Sequence, residues 1–408
     1  AINYFTLAAN QNHSDAQFNL GLIYKIGQYV AKDINKAIHY YTLAANQNNS
    51  KAQFGLGAIY YAGLHVAQNI DKAIHYYILA ANQNHSKAQF NLGFIYYKGQ
   101  YVARDMNKAI HYFTLASSQN YSNAQYSLGL IYDKGKYVAK DINKSIHYYT
   151  LAANKNHSVA QFDLGLKYFG GQSVARDIKK GIYLITLSSI NGFTPANFFV
   201  GCIYHAGKYA KRDIDKAIHY YKEASSFNIK QAKNNLGILY KNGFNEVVKK
   251  NLGLSIDYFK EAIHQKNDIL SMYNLAHLYL YEDPIKNSID ESIKLLIRSV
   301  NEGAFQPSMQ LLCLALLKRY GFYLDIIKEE VEERSGSNKE LAFKVCKKIS
   351  DMQLYDEKCF ESQYEYYRNI DFLYNHKLKP ILSKSINDIE YIGNSIQSSK
   401  IPKISKMF

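Results

Sequence analysis

The amino-acid sequence predicts an all-α fold, a right-handed α-solenoid in which two-helix repeats stack on one another. The first observation is an internal period of 36 residues, followed by leucines from Leu7 to Leu187 and by glycines from Gly21 to Gly237. The second is that each period has the apolar spacing of two short helices. Two short antiparallel helices cannot bury their apolar faces alone, so successive pairs must stack.

The unit from Ser14 to Asn49 shows where each helix is expected to begin and end. Ser14 and Gln17 have the S-x-x-Q spacing of a capping box, which predicts that the first helix begins at Ser14. Gly27 is expected to end it, because glycine tolerates the left-handed conformation found just past helix ends. Asp33 predicts the N-cap of the second helix, since Asp and Asn are favoured there.

The buried faces of both helices follow from helical spacing. The predicted core positions are Ala16, Leu20, Ile23 and Tyr24 in the first helix and Ala37, Tyr41, Ala44 and Ala45 in the second. Gly21 lies on the same face of the first helix, and its missing side chain is expected to let a neighbouring helix approach closely.

These positions together resemble the Sel-one-like repeat family, a relative of the tetratricopeptide repeats. The residues that carry the resemblance are Ala16, Leu20, Gly21, Tyr24, Gly27, Val30, Asp33, Lys36, Ala37, Tyr41, Ala44 and Ala45. The resemblance covers residues 1 to about 300, with seven good copies. It implies a tetratricopeptide-like superhelix and a role as an adaptor that assembles protein complexes, including signalling and membrane-protein degradation machinery.

The repeats predict a solenoid over residues 1–334, made of part of one unit, seven clear units and two degenerate units. Residues 1–7 align with a second helix, so the protein is expected to extend upstream. In the ninth unit Glu329 and Glu333 replace apolar residues, which predicts a polar cap that ends the stack. Residues 335–408 are expected to form a helical extension with a basic tail.

The net charge of +15 is spread along the chain. Most of it recurs in two columns, Lys32, Arg104, Lys140, Arg176 and Arg212, and Lys36, Lys72, Lys108, Lys144, Lys180 and Lys216. The simpler interpretation is a solvated face, and the alternative is a preference for acidic protein partners. Because the tyrosines recur at a core position, such as Tyr24 and Tyr60, no nucleic-acid partner is expected.

No catalytic, cofactor-binding or metal site is predicted, so the chain is not expected to be an enzyme or to have a small-molecule substrate. A column of histidines includes His39, His75 and His111. Stacked helices are about 8–10 Å apart, too far for neighbouring rings to share a zinc ion. Cys202 and Cys313 occupy repeated positions of the first helix and are interpreted as core residues.

The longest apolar run, Leu311 to Leu317, is too short to cross a bilayer, so direct membrane insertion is not expected. Four cysteines without a CxxC pair favour a cytoplasmic setting. The alternative is the lumen of the endoplasmic reticulum, because N-x-S sequons lie between the repeats, at Asn12, Asn48, Asn84, Asn120 and Asn156. The simpler account of these asparagines is that each ends a helix before the next begins.

The predicted function is a protein-binding scaffold or adaptor. The alternative is the regulatory repeat region of a larger signalling enzyme, for example a kinase, with its catalytic domain upstream. Differences between the units are concentrated on one stripe of the first helix, Asp15, Asn19, Leu22, Ile26 and their equivalents. Together with the neighbouring position of Lys25 and its equivalents, this surface is here called the first-helix stripe. In related solenoids the first helices line the concave surface. The predicted partner-binding residues are therefore Asn19, Lys25, Tyr61, Asn91, Phe94, Tyr97 and His205. The competing interpretation is that these positions merely face water.

Overall fold

The structure, a computed structural model, describes residues 2–303 except 28, 64, 172–173, 245–246, 267 and 283–287, together with residues 308, 311, 312 and 315. Its helices are α1 Ile2–Asn10, α2 Ser14–Ile26, α3 Ile34–Asn46, α4 Ser50–Ala62, α5 Ile70–Asn82, α6 Ser86–Lys98, α7 Met106–Ser118, α8 Ser122–Lys134, α9 Ile142–Asn154, α10 Ser158–Gly170, α11 Ile178–Ile190, α12 Thr194–Ala206, α13 Ile214–Ser226, α14 Lys230–Asn242, α15 Leu252–Lys266, α16 Ile269–Tyr281 and α17 Ser288–Gly303. Within this part, the extended structure is limited to an isolated antiparallel bridge between Phe244 and Val248. The all-α prediction is confirmed.

The described helices fall into two compact units, α1–α11 up to Asn191 and α12–α17 from Gly192 onward. Within each unit, the first helix of a repeat packs on its second helix, and that second helix packs on the first helix of the next repeat. Each unit is therefore a stack of two-helix repeats. The predicted boundary at residue 334, the extension over 335–408 and the cap at Glu329 and Glu333 lie outside the described residues.

The predicted start of the second helices is confirmed. The Asp33 carboxylate accepts a hydrogen bond from the Lys36 backbone N–H at 2.9 Å, and Asn69 caps α5 in the same way. The predicted end of the first helices is also confirmed, since Gly27 adopts a left-handed conformation with φ 77°. Its amide donates to the Ile23 carbonyl and closes the last turn.

The capping box predicted at the start of the first helices is wrong. The serine is the first helical residue, and the cap is the residue before it: Asn49 accepts from the Ala52 amide at 3.1 Å. His85 and His157 cap α6 and α10 through ring nitrogens. The reason is the turn, in which the preceding asparagine, such as Asn48 at φ 59°, is left-handed and the following residue is extended. This conformation explains why asparagine recurs at the sequons.

The repeated glutamine of the first helix connects three segments of the chain. Gln17 is 1% exposed, and its amide donates to the Ala9 carbonyl of the preceding helix at 3.2 Å. Its oxygen accepts from Gln47, which follows α3, at 2.7 Å. The pair recurs in the next repeats as Gln83 with Gln53 and Gln119 with Gln89. These hydrogen bonds connect the first three repeats to their neighbours.

Tyr41 shows how closely the helices approach. It is 1% exposed, on α3 between the glycines of α2 and α4. A Cβ atom on Gly21 would lie 2.5 Å from Tyr41 Cδ1, closer than real contacts allow. The prediction that Gly21 permits a close helix approach is therefore confirmed, and the neighbouring group is a tyrosine ring.

Candidate partner-binding site

The seven predicted partner-binding residues all lie on first helices and are all half-buried. Asn19 and Lys25 lie on α2, Tyr61 on α4, Asn91, Phe94 and Tyr97 on α6, and His205 on α12. The first six belong to the first compact unit, and His205 belongs to the second. Each side chain therefore combines contacts within the repeat with a surface that faces solvent.

Several of these side chains pack on the core. The ring of Phe94 stacks on Phe90 at 6.4 Å between centroids, and the Lys98 ammonium lies 5.5 Å from the Phe94 centroid. Asn91 hydrogen-bonds Tyr77, which opposes the rise in the Tyr77 pKa that burial causes. Tyr61 meets Tyr101 edge to face at 6.0 Å. Replacing these residues would change packing as well as the surface, so binding variants are better placed on exposed neighbours.

The stripe also carries charges that the sequence did not single out. Asp133 and Lys167 form an ion pair at 2.7 Å between α8 and α10. Asp163 accepts a hydrogen bond from the Tyr126 hydroxyl at 3.0 Å, and burial raises the pKa of its carboxyl group to about 7. The sequence alignment of the repeats could have identified both aspartates, because Asp133 is the repeat equivalent of Lys25 and Asp163 is the repeat equivalent of Asn19. A substitution to aspartate within the stripe marks this charged part of the surface.

Lys25 lies at the other end of the first unit. Burial, and then repulsion from Lys32, lower the pKa of its ammonium group. The stripe therefore changes from a cation at Lys25, through Tyr61 and Tyr97, to an anion at Asp133. One structural position therefore carries a cation, a tyrosine in two repeats and an anion.

His205 in the second unit lies within a polar cluster. Its Nδ1 is 3.2 Å from the Tyr221 hydroxyl, and burial lowers the pKa of its ring to about 4. The same hydroxyl approaches Cys202 Sγ at 3.6 Å. The buried Cys202 confirms its interpretation as a core residue. His205 is thus a neutral side chain with contacts inside its repeat.

The surfaces of the second helices are uniform by comparison. The Lys36 ammonium lies 3.9 Å from the Asp33 carboxylate and 5.1 Å from the centroid of the Tyr24 ring. The same cation–ring distance recurs at Lys72, Lys108, Lys144 and Lys216. This column of cations therefore has partners within its own repeats, and it presents the same chemistry each time.

In the second helices, His39 and its equivalents lie edge-on to the following tyrosine, at 5.2 Å between ring centroids for His39 and Tyr40. Across the described residues, no three or more histidine, cysteine or acidic side chains lie together as metal ligands would. Nor does the described part of the chain contain a helix with the length and apolar character needed to cross a bilayer.

The Sel1 repeat model matches the chain in nine stretches. These are residues 1–13, 14–49, 50–85, 86–121, 122–157, 158–193, 194–226, 230–267 and 269–303. The seven clear units predicted from the sequence coincide with the matches between residues 14 and 267, and the eighth, degenerate unit coincides with the last match. No curated protein sequence matches the chain.

Solved structures that are similar to the chain include one from Escherichia coli and one from Oxalobacter formigenes. The c5321 protein of uropathogenic Escherichia coli, described as a protective antigen with an SLR fold, is 26% identical, with a TM-score of 0.69 over 78% of this chain and 68% of that one. A Sel1 repeat protein from Oxalobacter formigenes is 30% identical, with a TM-score of 0.48 over 52% of this chain and 86% of that one. The first likeness supports the solenoid fold.

Proposed function

Since the chain belongs to the Sel1 repeat family, whose members are generally protein-interaction scaffolds, we propose that it is a non-catalytic adaptor that binds protein partners along the first-helix stripe. The main observation in support of the proposal is the location of the sequence differences between repeats. The stripe changes from repeat to repeat, whereas the surface of the second helices repeats the same residues. Folding alone does not explain why the sequence differences between repeats are concentrated on one of the two exposed surfaces.

Varied chemistry at one structural position suits the recognition of a specific partner. A partner segment that runs along the first unit meets Lys25, Tyr61, Tyr97 and Asp133 in succession. Because the lysine and the aspartate differ from the two tyrosines between them in charge and in hydrogen bonding, a shift of the partner by one repeat would place its end groups against the wrong chemistry. Such mismatches give specificity as well as affinity. The Lys36 column, which is the same in each repeat, offers no such discrimination.

The proposal includes a cytoplasmic setting, protein partners, and no nucleic acid, small-molecule substrate or cofactor. The buried free thiol of Cys202 suits a reducing compartment. The asparagines of the sequons adopt left-handed conformations in the turns, so their recurrence has an explanation that needs no secretory setting. The alternative, a regulatory region of a signalling enzyme, stays a prediction.

Affinity purification with this chain as bait, followed by reconstitution with each purified partner, tests the proposal. The stripe variant Lys51→Glu/Lys87→Glu changes two exposed cations on α4 and α6. The control Lys72→Glu/Lys108→Glu makes the same change on α5 and α7. We expect at least about a tenfold loss of affinity in the stripe variant, about 1.4 kcal/mol, and little change in the control. Equal losses in the two variants would contradict binding at the stripe.

A further inference from the structure

Four cations lie around an exposed tyrosine in the first unit. Arg104 is in the loop between α6 and α7, Lys134 is the last residue of α8, and Lys136 and Lys140 are in the loop between α8 and α9. All four are exposed, as is Tyr137. These five residues are here called the Tyr137 patch. Resting on the function proposed above, we infer that this patch binds an acidic segment, with aspartate or glutamate side chains, of the protein partner that lies along the first-helix stripe.

Arg104 connects the two loops of the patch. Its Nη1 donates to the Tyr137 hydroxyl at 2.8 Å, and its Cζ lies 4.5 Å from the centroid of that ring. Its Nε and Nη2 donate to the carbonyls of Tyr97 and Lys98 at 3.0 and 3.1 Å. These acceptors are uncharged, so they orient the guanidinium without neutralising it. Nη1 and Nη2 each keep an N–H without a partner among the described residues, and guanidinium donors suit a carboxylate.

The acidic residues next to the patch are already paired with other lysines. Asp133 lies 2.7 Å from the Lys167 ammonium, and Asp141 lies 3.5 Å from that of Lys144. Within the described part of the chain, no carboxylate lies within 4.0 Å of a cation of the patch. The positive charges of the patch are therefore available to an anion, and an exposed cluster of one sign attracts the opposite charge.

The pKa values of two groups report the positive potential of the patch. A hydrogen bond from Lys136 lowers the pKa of the Tyr137 hydroxyl, and the charges of Arg104, Lys136 and Lys134 lower it further, against a smaller opposing effect of burial. Burial, and then repulsion from Lys136, lower the pKa of the Lys134 ammonium group. The surrounding cations favour negative charge and disfavour positive charge at these groups, and they would stabilise a bound carboxylate in the same way.

The geometry favours an acidic protein segment over a nucleic acid. Proteins that hold single strands stack the bases on aromatic rings. The Tyr137 ring already has the Arg104 Cζ at 4.5 Å and the Lys136 ammonium at 5.1 Å from its centroid. Cations therefore occupy the approach to this ring that a base would need. A carboxylate needs only the cations, which are exposed.

The patch adjoins the stripe but is confined to part of the first unit. The equivalents of Lys134 and Lys136 in the first two repeats are uncharged: Ile26, Ala62, Gln28 and Leu64. The position of Arg104 is occupied one repeat earlier by Gln68, whose amide lies 3.5 Å from the Tyr101 hydroxyl. Because Ile26 belongs to the stripe, its equivalent Lys134 joins the stripe to the patch. A partner on the stripe can therefore reach the patch with an adjoining segment.

Fluorescence anisotropy with the full chain at physiological ionic strength tests the inference. The probe is a labelled peptide of alternating glutamate and serine, and the reference peptide has glutamine in place of glutamate. We expect the chain to bind the acidic peptide and not the reference. Lys136→Gln/Lys140→Gln should weaken that binding about fivefold, as expected for the loss of two exposed ion pairs. Equal binding of the two peptides would overturn the inference.

The matched control, Lys36→Gln/Lys72→Gln, removes the same charge from exposed lysines of α3 and α5. It should leave binding of the acidic peptide little changed, and a loss equal to that of the patch variant would show that only net charge matters. Gln68→Arg adds a guanidinium next to Tyr101 and should strengthen binding about threefold, a gain that misfolding could not produce. Tighter binding of a single-stranded RNA oligomer, lost in the patch variant, would overturn the acidic protein segment as the ligand.

A purified partner separates this inference from the proposed function. Loss of affinity in both Lys136→Gln/Lys140→Gln and Lys51→Glu/Lys87→Glu would support both. A partner that depends on the stripe but binds the patch variant like the wild type would overturn the patch and leave the proposed function standing. Binding of the acidic peptide at the patch, with partner affinity unchanged in the stripe variant, would overturn the proposed function and support the patch.

Discussion

At the scale of single residues, the buried glutamines show how one substitution breaks a repeated contact. Gln17, Gln53 and Gln89 each accept a hydrogen bond from a glutamine 30 residues later. In the fourth repeat that donor is replaced by Lys155, and the oxygen of Gln125 has no partner in the described structure. The sequence contained this signal, since glutamine recurs at 47, 83 and 119 but not at 155. The capping-box interpretation gave Gln17 and its equivalents a different role, so this contact between glutamines was not predicted.

Restoring the donor should stabilise the chain. Lys155→Gln places an amide where Gln119 has one in the preceding repeat. Because a buried acceptor without a partner costs about 1–3 kcal/mol, we expect a gain of about 1 kcal/mol and a higher melting temperature. The reciprocal control, Gln83→Lys, leaves Gln53 without its donor and should lower the melting temperature by a similar amount. A decrease for Lys155→Gln would show that the glutamine pair is not stabilising.

At the scale of helices, the second helices could be predicted better than the first. An Asp or Asn before Ile34 and its equivalents has one plausible role, and the structure gives it that role. At the first helices, serine and the residue before it were both possible caps. The left-handed asparagine of the turn decides between them, and backbone conformation of this kind is hard to infer from a single sequence. The observed cap therefore lies one residue before the predicted one, for example at His157 instead of Ser158 in the fifth repeat.

The cap of α10 predicts a pH dependence. His157 Nδ1 accepts from the Ala160 amide, and burial lowers the pKa of the ring from 6.5 to about 4. Between those values the unfolded chain binds a proton and the folded chain does not, so stability is complete above pH 6.5 and falls as the pH drops towards 4. His157→Asn keeps a cap of the kind that Asn49 provides, without the titration.

We therefore expect the melting temperature of His157→Asn to fall less steeply than that of the wild type between pH 6.5 and 4. A slope remains, because burial also lowers the pKa of His205 and His277 to about 4. The raised pKa of Asp163, about 7, acts in the opposite direction, since folding then favours its protonated form as the pH falls. Identical slopes for variant and wild type would mean that the pKa of His157 is the same in the folded and unfolded chains.

At the scale of the whole molecule, the 36-residue period was enough to predict the helices, their pairing and most of the core. Tyr41 and Gly21 were predicted core positions, and they pack together in the structure. The period could not predict contacts made by residues that differ from repeat to repeat. The ion pair of Asp133 with Lys167 depends on a substitution in one repeat meeting a residue of another. Such contacts can be identified only from the structure.

Repeat stacks with contacts between neighbours tolerate the loss of a whole unit. Deleting residues 86–121 removes one repeat and joins two equivalent turns. We expect the shortened chain to keep its helicity per residue, measured by circular dichroism, with a melting temperature lower by a few degrees. Deleting residues 104–121 removes the second helix alone, so two first helices would follow one another. That variant should lose cooperative melting, and equal behaviour of the two deletions would contradict the stacked-repeat account.

The central claim is that partners contact the first helices, and site-specific photo-cross-linking tests it most directly. A benzophenone amino acid replaces the exposed Lys87 on α6 or, as the matched control, the exposed His75 on α5. Each variant is irradiated with a purified partner, and the products are mapped by mass spectrometry. The account predicts cross-links from residue 87 and few from residue 75. Cross-links from residue 75 with none from residue 87 would contradict it.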